Sequence, residues 1–162
     1  MTEVRDMVIQ AEDAARIQRV LAGFLTESGA LEALLIDRSG QLLAMEGVTR
    51  ALDTVSISAL AAAAFSSTSA MAQLLGEPEF TVLFHEGVKR SIHVSTVDPE
   101  TILLAIFDDR TTVGMVRLFA KEASRDVAAI LAPARARPKT GAEFAAPLSA
   151  SELRGAWEPP AR

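Results

Sequence analysis

Apolar residues recur at three- and four-residue steps through residues 11–28, on Ala14, Ile17, Leu21, Phe24 and Leu25, while Glu12, Asp13, Arg16 and Arg19 lie off that stripe. This is the period of an amphipathic helix, and Gly29 supplies a stop. Before it, Met7-Val8-Ile9-Gln10 suits a short extended arm. Residues 33–36 form a continuous apolar run, as in a strand buried on both faces; Arg38-Ser39-Gly40 makes a turn, and residues 41–45 return. A second helix starts near Asp53, a good N-cap, and ends at Gly76 before Pro78. Then Phe80, Val82 and Phe84 alternate with Thr81, Leu83 and His85; Glu86-Gly87 turns the chain; and Ser91, His93 and Ser95 alternate with Ile92, Val94 and Val97. Residues 101–107 (TILLAIF) are the most apolar strand and belong at the sheet centre. A third helix opens after Asp108-Asp109-Arg110-Thr111 and runs to about Leu131 on Val113, Val116, Ala120, Ala123, Val127 and Ile130.

The order αββαβββα, with its hairpins, predicts an α/β domain of the α+β kind: a five-stranded antiparallel sheet with helices on both faces. Residues 1–132 form this domain. From Pro133 the composition shifts, and Pro133, Pro138, Gly141 and Pro147 mark a linker over 133–147. Residues 148–158 read as a C-terminal amphipathic helix, followed by a tail at 159–162. There Ser149 and Glu152 make a capping box, Leu148 and Leu153 a hydrophobic staple, and Leu153 and Trp157 share a face. So short a helix is marginal alone. It docks on a partner, folds back on its own domain, or stays disordered.

Composition narrows the chemistry. The chain has 162 residues, 49% of them apolar, with a formal net charge of −5, no Cys and two His. An acidic balance argues against nucleic-acid binding. Without Cys there is neither a disulfide framework nor a thiolate metal site, and two His make a His-rich metal centre improbable. Gly40, Gly47, Gly76 and Gly87 stand isolated, so no phosphate-cradling loop exists. Asp108-Asp109 precedes a helix, where carboxylates cap and complement the dipole; Asp37 starts a turn and Asp53 caps a helix. No cofactor, metal or catalytic residue is expected. Glu3, Arg5, Asp6, Glu12 and Asp13 break any signal-peptide pattern, which points to the cytoplasm.

Residues 54–76 contain no Asp, Glu, Lys or Arg. At 100° per residue, Ile57, Leu60, Ala64, Ser67, Met71, Leu74 and Leu75 share the face expected on the sheet. The opposite face carries Val55, Ala59, Ala62, Ser66, Ala70 and Gln73, where a solvent-facing helix would carry charges. Five Ser, two Thr and seven Ala make it a poor membrane span, so no membrane insertion is expected. Burial within its own fold is a second reading. A flat protein–protein surface is preferred, because small side chains let another backbone approach and desolvate at little cost. Residues 80–85 (Phe80, Thr81, Val82, Leu83, Phe84, His85) have no Lys or Pro. If this strand lies at the edge, two copies could pair about a two-fold axis, unless a helix or loop covers it.

The segments LLIDRSGQLLA (34–44), LDTVSISALAAA (52–63), LLGEPEF (74–80), FHEGVKRSI (84–92) and IFDDRTTVGMVRL (106–118) resemble the roadblock/LC7 family, in its bacterial MglB-like branch. The resemblance implies a homodimer with paired third strands and a continuous sheet, its two second helices side by side as a platform for a Ras-like small GTPase of the MglA type. It implies a GTPase-activating protein with no active site of its own, which donates no arginine finger and reorders the GTPase's catalytic Arg and Gln. Ala62, Ser66 and Ala70 fall on the family's small-residue stripe; with Ala59 and Gln73 they form the expected GTPase contact. Leu148, Leu153 and Trp157 would form a second contact. In the third helix Phe119 and Glu122 replace expected basic residues, while Arg117 and Lys121 remain. Cell polarity, gliding motility and a polar location are further implications. One rival is a non-activating scaffold that recruits a GTPase or a cytoskeletal protein. Another is a small-molecule sensor, which needs an apolar cavity over the sheet.

Overall fold

The computed structural model describes residues 7, 9–48 and 51–137. Its elements are α1 (Ala11–Ser28), β1 (Glu32–Asp37), β2 (Leu42–Gly47), α2 (Thr54–Leu74), β3 (Val82–His85), β4 (Ser91–Asp98), β5 (Thr101–Phe107) and α3 (Val113–Ala136). The strands form one antiparallel sheet in the order β2-β1-β5-β4-β3. As its composition predicts, β5 is central, and all of its residues are buried. The fold class and element order match the reading from sequence.

Strand alternation divides the core between the two sheet faces. Ala33, Leu35, Leu103, Ala105 and Phe107 meet Ile17, Leu21 and Val127 on the side of α1 and α3. Leu34, Ile36, Val94, Leu104 and Ile106 point the other way, toward Ala61 and Phe65 of α2. Helix ends follow local chemistry. Gly29 ends α1 at φ 73°, its N–H donating to the Leu25 carbonyl. Asp53 caps α2 by accepting from the Ser56 N–H at 3.0 Å and the Ser56 hydroxyl at 2.6 Å. At the far end Gly76 adopts φ 75°, and the N–H groups of Gly76 and Glu77 donate to the carbonyls of Gln73 and Ala72, a Schellman arrangement.

Three expectations are corrected. The third helix continues through Pro133 to Ala136. Proline removes one helical donor, but Leu131 and Ala134 are buried in the core, and Arg135 bonds Asp98, Glu100 and Thr101. These contacts, with Arg137 bonding Asp13 at 2.6 Å, hold the last turn in place. The cap of α3 is Thr112, whose hydroxyl accepts from the Met115 N–H at 3.2 Å; Asp108 is instead engaged by Arg110. Finally, β3 starts at Val82, so Phe80 and Thr81 precede it, although the Thr81 carbonyl still accepts from the Thr96 N–H at 3.0 Å.

Candidate functional site: the α2 surface and the β3 edge

The buried residues of helix α2 are Ser58, Ala61, Ala62, Phe65 and Ala72; Ala61 and Phe65 pack in the sheet core, with Ile57 partly buried against it. Phe65 is the bulky member of that row and is 1% exposed. The buried side is therefore rotated by about a third of a turn from the one the apolar pattern suggests. Leu60, Met71, Leu74 and Leu75, expected in the core, are 69%, 51%, 88% and 72% exposed. The cause is chemical. With apolar and small residues on every side, α2 has no polar face to fix its rotation, so the one aromatic side chain sets it by filling the space above Leu34, Ile36 and Leu104.

This rotation changes the candidate contact. Ala59, Ser66, Ala70 and Gln73 lie on the exposed side as expected, together with Val55, Leu60 and Ala63. Ala62 does not: it is 5% exposed within the subunit, so little of it is open to a partner. The resulting surface is uncharged along the helix and more apolar than the sequence suggests, because its leucines face outward. Among the described residues α2 is long and apolar enough to cross a membrane, yet its Phe65 side is buried on the sheet.

The loop between β1 and β2 forms the seat of α2. Asp37 accepts hydrogen bonds from the Ser39 N–H (2.9 Å), the Ser39 hydroxyl (2.6 Å) and the Gln41 N–H (3.0 Å), which fixes the turn. Gly40, at φ 94°, lies so close to α2 that a Cβ there would come within 3.0 Å of the Ala59 Cα. Arg38 stacks its guanidinium 5.2 Å from the centre of the Phe65 ring and pairs with Glu79, in the segment between α2 and β3. The sequence pattern marks 38–40 only as a turn.

The edge condition set for the third strand is met, since β3 pairs with β4 and ends the sheet. Phe84 stacks on Phe107 with ring centres 6.1 Å apart and remains 40% exposed. Leu83 packs toward the α2-side core, and His85 is exposed. Next to this edge, His93 on β4 lies opposite Phe84 and Ala105 and shares the face of α1 and α3. It is 1% exposed and neither ring nitrogen has a hydrogen-bond partner. Burial, followed by the nearby positive charge of Arg117, holds its pKa below the usual histidine value.

Leu148, Leu153 and Trp157 lie outside the described residues, so the expected second contact has no structural description. A groove of about 300 Å³ runs between α1 and α3, rimmed by Arg19, Glu27, Glu122 and Asp126. Its charged rim and its place between helices differ from the apolar cavity over the sheet that a ligand sensor needs. Among the described residues no three His, Asp or Glu gather as metal ligands.

Residues 16–107 match the Roadblock/LC7 domain model, which spans α1 to β5. The chain belongs to the Roadblock/LC7 family. Within that family it is similar to solved MglB proteins. Myxococcus xanthus MglB is 36% identical, with 72% of this chain and 95% of that one covered and a TM-score of 0.69. The gliding protein MglB of Thermus thermophilus is 32% identical, with 79% and 97% covered and a TM-score of 0.74. A structure described as MglB with tetrameric arrangement is 31% identical, with 80% and 97% covered and a TM-score of 0.76. No curated protein matches the chain.

Proposed function

We propose that this chain is a homodimeric regulator that activates GTP hydrolysis by a Ras-like small GTPase of the MglA type. The observation that carries the reading is the exposed face of α2: Val55, Ala59, Leu60, Ser66, Ala70 and Gln73 expose no charge on a helix of 21 residues. Such a strip is costly to leave in water and cheap to desolvate against another polypeptide. Two copies joined edge to edge through residues 80–85 would double it. The similarity to MglB proteins, one of them described as tetrameric, supports self-association and a GTPase partner. Because α2 carries no Arg or Lys, it has no arginine finger to offer. Activation then consists of positioning residues of the GTPase itself, which suits phosphoryl transfer, where placement and electrostatics dominate. Leu148, Leu153 and Trp157 supply the second contact. The setting is cytoplasmic cell polarity and gliding motility, carried by the MglB similarity alone.

The test is single-turnover GTP hydrolysis by a purified MglA-type GTPase with increasing amounts of this protein. The expected result is acceleration beyond about tenfold, equal to some 1.4 kcal/mol of barrier. Binding without acceleration would replace activation with scaffolding. Absence of binding would remove the GTPase from the account.

A further inference from the structure

We infer that Arg38 is a positioning residue that fastens the α2 surface to the chain entering β3, and so sets how well that surface engages its partner. The inference rests on the reading of α2 as the docking surface. Its grounds lie in how little else holds α2. Apart from Phe65, the buried residues of the helix are Ser58 and three alanines, which offer few interlocking shapes, and Ile57 adds a partly buried contact to the same core. Phe65 is the anchor, and Arg38 lies over its ring.

The reach of Arg38 sets it apart from an ordinary surface cation. Its side chain is 28% exposed. Its backbone N–H donates to the Glu100 carbonyl at 3.0 Å, tying the β1–β2 turn to the β4–β5 turn. Its guanidinium crosses Phe65 and ends on Glu79, three residues before β3 begins. Its Nε has no hydrogen-bond partner, so the stack over Phe65 and the Glu79 pair carry the contact. Gly40 in the same turn touches the backbone of α2 at Ala59. One loop thus holds the base of the proposed docking helix and the approach to the proposed dimer edge. A shift in either element is passed to the other through one guanidinium.

The experiment uses the full chain, with Arg38→Met, which keeps the stem over Phe65, and Glu79→Gln, which leaves the Phe65 stack untouched. Hydrogen exchange of the α2 amides is measured against those of α1 and α3, and GTP hydrolysis by an MglA-type GTPase is titrated with each variant. Arg38→Met should lower protection in α2 while α1 and α3 keep theirs. It should also raise the concentration for half-maximal stimulation about 2- to 30-fold, with Glu79→Gln shifting both readouts in the same direction by less. In the double variant the second substitution should add little, because the two act through one contact. Unchanged α2 protection in both single variants would overturn the inference. So would an equal loss across α1, α2 and α3, which marks a residue of general stability. If the unaltered protein fails to stimulate hydrolysis, the functional reading fails, while the exchange pattern still decides the role of Arg38 in seating α2.

Discussion

Replacing Phe65 with alanine tests how α2 sits. The ring is 1% exposed and packs above Leu34, Ile36 and Leu104. An aromatic side chain buries about 150–250 Å², and removing it leaves a cavity that the small neighbours Ser58, Ala61 and Ala62 cannot fill. The expected cost is about 3–5 kcal/mol, a large part of the roughly 5–15 kcal/mol that holds a domain folded. Leu60→Ala is the control. At 69% exposure it should cost less than about 0.5 kcal/mol, although the apolar pattern alone assigns Leu60 to the core. Urea unfolding at one fixed protein concentration reads both, since the midpoint shifts with unchanged slope when stability alone is altered. A loss below about 1 kcal/mol for Phe65→Ala, or a loss for Leu60→Ala that equals it, would refute the orientation of the helix. The exposed strip would then have to be redrawn.

Ala70→Arg places a bulky charge on the exposed side of α2 and should abolish GTPase binding, with a melting temperature within a few degrees of the parent; titration calorimetry and a thermal melt check it. Ala62→Arg should instead destabilise the fold, because its site is 5% exposed. His93 should make stability fall with acid: its pKa is depressed in the folded state, so the unfolded chain takes up the proton first as pH drops below about 6.5. Melting temperatures between pH 7.5 and 5.5 should decline less steeply in His93→Leu, and identical slopes would show that the ring does not resist protonation. Trp157→Ala should weaken GTPase binding without altering the melt; a large stability loss would place the tail on its own domain.

What the sequence shows and what it hides divide along physical lines. Residues 33–36 of β1 and 102–107 of β5 are uninterrupted apolar runs buried on both faces, and the turns and caps at Gly29, Asp37, Asp53 and Gly76 carry residue types their geometry demands. Those features are local, so they are readable. The end of α3 is not. Pro133 signals a stop, yet Arg135 and Arg137 meet Asp98 and Asp13 from distant parts of the chain, and long-range contacts outweigh one missing donor. The rotation of α2 is hidden for a related reason. Periodicity locates a buried face by contrast with a polar one, and α2 provides no such contrast. The property on which the proposed docking surface rests, the lack of charge on the helix, therefore also hides which side is free. Phe65 and Arg38 resolve this only through their partners in space, and this is why the pattern misplaces Ala62 but not Ala59, Ser66, Ala70 and Gln73. The side a partner would meet is defined by what one aromatic ring leaves uncovered, so changing the seat of that ring should alter docking as surely as changing the surface itself.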